Sequence, residues 1–175
     1  MRRPICILLL AVAFAWGAGK AEARPPELRD LVDAPNPAGC SEYSFMFWDF
    51  YRAELWTDDP DLPGKKFGLS LTYLSDFSRD ALVKSTIDEM VRISGQPEAS
   101  FAKARIKMQQ IFRDVEPGDR ITAWRAGAEK LRLFVNGEET GTLNREVDLF
   151  LAIWLSEETR HPEGRQALLS GRCDG

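Results

Sequence analysis

Few side chains in this sequence have the chemistry for a reactive site. There is one histidine, His161, and there are three cysteines, Cys6, Cys40 and Cys173. A Ser-His-Asp or Cys-His centre would have to use His161, which lies between Arg160 and Pro162 at a predicted helix start and reads as exposed and idle. Glu157 and Glu158 are sequence neighbours, so on a helix they do not face one another as an acid–base pair. Asp58, Asp59 and Asp61 suggest calcium. An EF-hand frame from Asp59, however, puts Pro63 at a ligand position and Ser70 where the bidentate glutamate belongs, so the cluster reads as a solvated turn. The glycines match neither the dinucleotide fingerprint nor the Walker pattern. No cofactor and no metal site are expected. With 27 acidic and 23 basic residues and a net charge of −4, a nucleic-acid partner is not expected either.

Two residues stand out as polar anchors for a small ligand. Arg52 interrupts an aromatic stretch and is the only basic residue between Arg29 and Lys65. Tyr73 ends an alternating strand that should lie beside it. A cleft lined by Phe, Trp and Tyr, with Trp48, Trp56, Trp124 and Trp154 available, suits an apolar or aromatic ligand. The plainer alternative is that the core absorbs all of these rings.

The elements that must position such a site follow from local pattern. Residues 1–23 have the layout of a secretory signal peptide: a basic start, the apolar run Ile5–Phe14, and Ala21-Glu22-Ala23 before the cleavage point. The run is short for a membrane span, so no integral span is expected after cleavage, and the location is expected to be periplasmic or secreted. Removal of Cys6 leaves Cys40 and Cys173, which an oxidising compartment would join in a disulfide. Residues 24–39, with four prolines, form an irregular lead-in too poor in apolar residues to build core by itself. Residues 40–175 form a single domain.

Within that domain, Glu42–Trp56 reads as one strand that is apolar on both faces. Phe45 and Phe47 lie on one side, and Met46, Trp48, Phe50 and Arg52 on the other. Phe67, Leu69, Leu71 and Tyr73 alternate with small or polar residues and make the clearest strand. Ser78 caps a helix to about Ile93, and a second helix runs from about Glu98 to Val115. Strands follow over 119–125, 130–135 and 139–143, the last two joined at Asn136-Gly137. Asn144 caps a buried helix over 145–155, and Pro162 starts a short final helix. The class is α+β: a large, mostly antiparallel sheet with helices packed on one face.

This order, together with FGLSLTYLSDFSRDALVKSTIDEM, FRDVEPGDRITAWRAG, LRLFVNGEETGTL and DLFLAIWLSEETRHPEGRQALL, resembles the bacterial chalcone isomerase-like family from about Phe45 to Leu169. The resemblance implies the chalcone isomerase fold with a ligand cleft between sheet and helices. In catalytic members an arginine, a threonine, a tyrosine and an asparagine serve that cleft; non-catalytic members hold a fatty acid on an arginine and a tyrosine. Those residues are not matched here. The threonine-bearing strand reads FMFWDFY, and the first two helices hold no tyrosine or asparagine. The expectation is an exported, non-catalytic domain that binds a small apolar or fatty-acid-like ligand. The alternatives are an isomerase or lyase with a rearranged site, and an envelope protein that binds a protein partner.

Overall fold

The computed structural model describes residues 24–45, 48–59, 66–171 and 173. Six strands form one sheet in sequence order: β1 (Gly39–Phe45), β2 (Trp48–Trp56), β3 (Phe67–Tyr73), β4 (Arg120–Gly127), β5 (Lys130–Val135) and β6 (Glu138–Leu143). Every neighbouring pair is antiparallel. Between β3 and β4 the chain leaves the sheet to form α1 (Arg79–Ser94) and α2 (Ala102–Ile111), then returns beside the strand it left. Two further helices, α3 (Val147–Leu155) and α4 (Pro162–Leu169), follow β6. No helix among the described residues is long and apolar enough to cross a membrane.

Local signals explain most of these boundaries. The Ser78 hydroxyl accepts the Ala81 N–H at the start of α1, and Gly95 ends that helix in the left-handed region. Asn136 and Gly137 both have positive φ, 49° and 89°, as a two-residue hairpin of primed type requires. α2 stops at Ile111, short of the expected Val115, because Phe112 turns extended and Val115 pairs with Phe77 instead. α3 begins at Val147 rather than Arg145. Its N-cap position is taken by Glu146 in the left-handed region, and Asn144 does not cap it.

The stretch Glu42–Trp56 is a hairpin and not one strand. β1 ends at Phe45 and β2 begins at Trp48, with these two residues paired across the ladder. The expected placement of Met46 and Phe47 lies outside the described residues. The expected placement of Phe50 is overturned by a bulge: Tyr43 pairs with Tyr51 and Ser44 with Asp49, so Phe50 is an extra residue on β2. Such a residue breaks the strict alternation of faces, and Phe50 joins Tyr51 on the helical side, its ring 5.7 Å from that of Phe77.

One face of the sheet carries the helices. Leu55, Phe67, Leu69, Leu71, Ile121, Leu131 and Leu133 pack there against Val83, Ile87, Met90, Met108, Ile111, Phe150 and Leu168. The opposite face is covered by the lead-in, which does contribute to the core. Leu28 and Val32 are buried with Trp56, Trp124 and Phe134 in a second cluster. The proline-rich segment bends over the sheet, so its two well-spaced apolar side chains land on aromatic rings; burial is worth about 1.5–3 kcal/mol for each. Gly68 makes room for this contact, since a Cβ there would sit 3.0 Å from Leu28 Cδ1. Asp58 accepts the Asp33 and Ala34 backbone N–H groups and ties the strap down. That gives Asp58 a structural partner, while Asp61 lies outside the described residues.

A disulfide joins Cys40 on β1 to Cys173 beyond α4. Gly39 lets α4 lie directly on this edge, because a Cβ at that position would meet the Leu168 carbonyl oxygen at 2.0 Å.

Candidate functional site

The chain holds three tyrosines, and antiparallel register brings all of them into one row. Tyr43 on β1 lies opposite Tyr51 on β2, which lies opposite Tyr73 on β3. The ring centroids are 5.0 Å apart for the first pair, stacked, and 5.8 Å for the second, tilted towards an edge contact. The row crosses the helix-facing side of the sheet and forms part of the wall of a cavity of about 430 Å³. Leu71 and Ile121 add sheet residues, Leu82 and Thr86 come from α1, and Phe150 and Trp154 from α3. Exposed Ala81, Ser85, Arg160 and His161 mark its opening. The volume falls in the range of about 300–1,000 Å³ typical of small-molecule sites.

Each tyrosine hydroxyl has a different setting. Tyr51 Oη accepts the indole N–H of Trp154 at 2.9 Å, so its own proton remains to be donated. The Tyr73 hydroxyl makes no hydrogen bond among the described residues, and the side chain is 5% exposed. Tyr43 Oη is buried without a partner beneath α4, close enough to Gly164 that a Cβ there would approach it to 3.1 Å. Burial raises all three phenols above their ordinary range. Tyr51 is pushed up to about 12, with the Trp154 hydrogen bond opposing the rise and the Glu89 charge adding to it. Tyr43 and Tyr73 are raised further, each also by its neighbour Tyr51. The row is therefore a set of neutral donors, with no phenolate base.

The charge in the lining sits at the rim. Burial pushes the Glu89 carboxyl up, but hydrogen bonds from Arg92 and Arg160 outweigh it and hold the group below the usual carboxylate range. Arg92 Nη2 reaches Glu89 Oε2 at 2.7 Å and also bonds the Glu158 carbonyl, tying α1 to the loop before α4. Arg160 Nε donates to the other Glu89 oxygen. His161 stands edge-on to the Tyr43 ring, with centroids 5.0 Å apart, so the histidine expected to be idle is part of the cavity wall.

Of the two residues singled out by sequence, only Tyr73 reaches this cavity. Arg52 is on the adjacent strand, but it is registered against Thr72 on one side and Glu42 on the other, whereas Tyr51 is registered against Tyr73. One residue of offset turns a side chain to the other face. Arg52 pairs there with Glu42 at 3.5 Å, and the next residue of its parity, Glu54, accepts the indole N–H of Trp56 in the strap-covered cluster. Tyr43, Tyr51, Trp154, Arg160 and His161 were not predicted to meet. Parity alone does not group the tyrosines: the hairpin register would set Tyr43 opposite Phe50, and only the bulge at Phe50 brings Tyr51 opposite Tyr43.

No protein-family model matches the chain, and no curated protein matches it in sequence. Similarity appears at the level of structure. The crystal structure of a fatty-acid binding protein of Arabidopsis thaliana superposes with a TM-score of 0.59 at 10% sequence identity, over 77% of this chain and 86% of that one. The six-stranded antiparallel sheet with its layer of four helices is a chalcone isomerase-like fold.

Proposed function

We propose that this protein is an exported, non-catalytic member of the bacterial chalcone isomerase-like family that holds a small apolar or fatty-acid-like ligand between sheet and helices. The observation that carries the reading is the cavity itself: about 430 Å³, walled largely by aromatic and aliphatic side chains, the tyrosine row among them, with its charged residues at the rim. The fatty-acid binding structural neighbour supports the same use of the fold. The absence of catalysis is supported by the lining chemistry, since the phenols are kept protonated and Glu89 is matched to two arginines. Export is supported by the Cys40–Cys173 disulfide, a bond that persists in oxidising compartments.

Native mass spectrometry of protein purified from its own host tests the binding reading. A co-purifying amphiphile of defined mass, released on unfolding, is expected. Only bare chain, together with failure to take up any member of a broad amphiphile panel, would favour the partner-binding alternative. The same sample tests export, as its first residue should be Arg24 or lie within a residue or two of it.

A further inference from the structure

We propose that Tyr51 and Tyr73 form a two-donor clamp for one uncharged oxygen acceptor, so that the cavity takes a neutral ketone or ester in preference to the free acid of the same chain length. This rests on the cavity being a ligand site and goes further by naming the class of polar group it holds.

Three observations converge on it. Tyr51 has its acceptor side occupied by the Trp154 indole N–H, which leaves a proton to give. Tyr73, directly across the ladder, carries a hydroxyl with no hydrogen bond among the described residues. A carbonyl oxygen has two lone pairs and accepts two such bonds at once. The ring centroids are 5.8 Å apart, and both residues line the same cavity, so the two donors belong to neighbouring side chains of one wall. Leu71, Leu82, Phe112 and Ile121 continue the wall with apolar surface for the rest of the molecule.

A carboxylate fits this place badly. An ionised group in an apolar cavity needs a matching cation, and no buried lining residue is cationic. Arg160, the one arginine of the wall, is exposed at the rim and bonded to Glu89.

The test is equilibrium binding of three probes of one medium chain length to the oxidised protein at neutral pH: a methyl ketone, the free acid and the alkane. The ketone is expected to bind about tenfold or more tightly than either of the others. Tyr73→Phe keeps the ring and breaks no intramolecular bond, so it should lower ketone affinity part of the way to that of the alkane, the Tyr51 donor remaining, and leave alkane affinity unchanged. Equal affinity for ketone and alkane, or an unaltered ketone affinity in Tyr73→Phe, would overturn the clamp while leaving the apolar cavity reading intact. Tightest binding by the acid, lost in Arg160→Gln, would overturn it in favour of an anion anchor at the rim. No saturable binding of any probe would overturn both the clamp and the cavity reading.

Discussion

Trp154 donates its indole N–H to Tyr51 Oη at 2.9 Å, a bond that joins the third helix to the second strand at the wall of the cavity. Trp154 is 6% exposed and Tyr51 is partly buried. Tyr51→Phe would leave the indole N–H without its acceptor in a place where little else can supply one. We expect a loss of about 1–3 kcal/mol of stability in denaturant unfolding. An unchanged unfolding midpoint would show that the bond does not hold the helix to the sheet.

Tyr43→Phe should behave in the opposite way. Its hydroxyl is buried without a partner, so removing it takes away a desolvation cost and no bond. The ring contacts with Tyr51 and His161 remain. Stability should stay level or rise by about 1 kcal/mol. A clear loss would mean that this hydroxyl is used in the folded protein.

On the far face of the sheet, Glu27 is held by Arg120 through two bonds of 3.0 Å and by the Thr122 hydroxyl at 2.6 Å, with its side chain 1% exposed. Burial raises its proton affinity, but the Arg120 and Thr122 bonds win, and the folded-state carboxyl lies below its ordinary value of 4.5. A group with a lowered folded-state pKa stabilises fully above the unfolded value and loses that contribution as pH falls through the folded one. Stability measured downward from neutral pH should therefore begin to fall near pH 4.5. Glu27→Gln should flatten part of that fall and weaken the strap at neutral pH. Wild type and variant with parallel pH profiles would be inconsistent with this role.

The Cys40–Cys173 bond spans a sequence separation of 133 residues. By the chain-entropy model a loop of that size is worth about 4–5 kcal/mol, an upper figure for a native bond. Reduction, or Cys173→Ser, should lower the thermal midpoint and loosen the last helix, whose backbone lies against Gly39. Hydrogen exchange should then rise first over residues 162–169. Identical midpoints with and without reductant would contradict the stapling role.

How far the sequence anticipates this molecule depends on the range of the interaction concerned. Phe67–Tyr73 is legible because large apolar side chains alternate there with small or polar ones, a local pattern that survives although both faces are covered, and Ser78 and Asn136-Gly137 are legible because caps and tight turns are set by a few adjacent atoms. The hairpin inside Glu42–Trp56 is hidden because strand-forming aromatic residues run through it and no Gly, Pro or Asn marks the turn. The bulge at Phe50 depends on how β1 is registered against β2, as does the separation of Arg52 from Tyr73. The tyrosine row needs two registers at once. The rim residues Arg160 and His161 come from a loop far along the chain, and no spacing rule links them to Tyr43. Leu28 and Val32 are too few to signal a core; they become one only because Trp56 and Trp124 wait beneath them.

The most direct test of the cavity as a ligand site is to block it without unfolding the protein. Ser85 is exposed on the first helix and lines the opening. Its hydroxyl bonds only the Leu82 carbonyl of its own helix, so replacement should leave the fold intact. Saturable binding of a polarity-sensitive fluorescent amphiphile should be compared between wild type and Ser85→Trp, with thermal midpoints measured alongside. The account predicts one saturable site in the wild type and at least about a tenfold loss of affinity in Ser85→Trp at an unchanged midpoint. Equal binding by both proteins, or no saturation in the wild type, would contradict it.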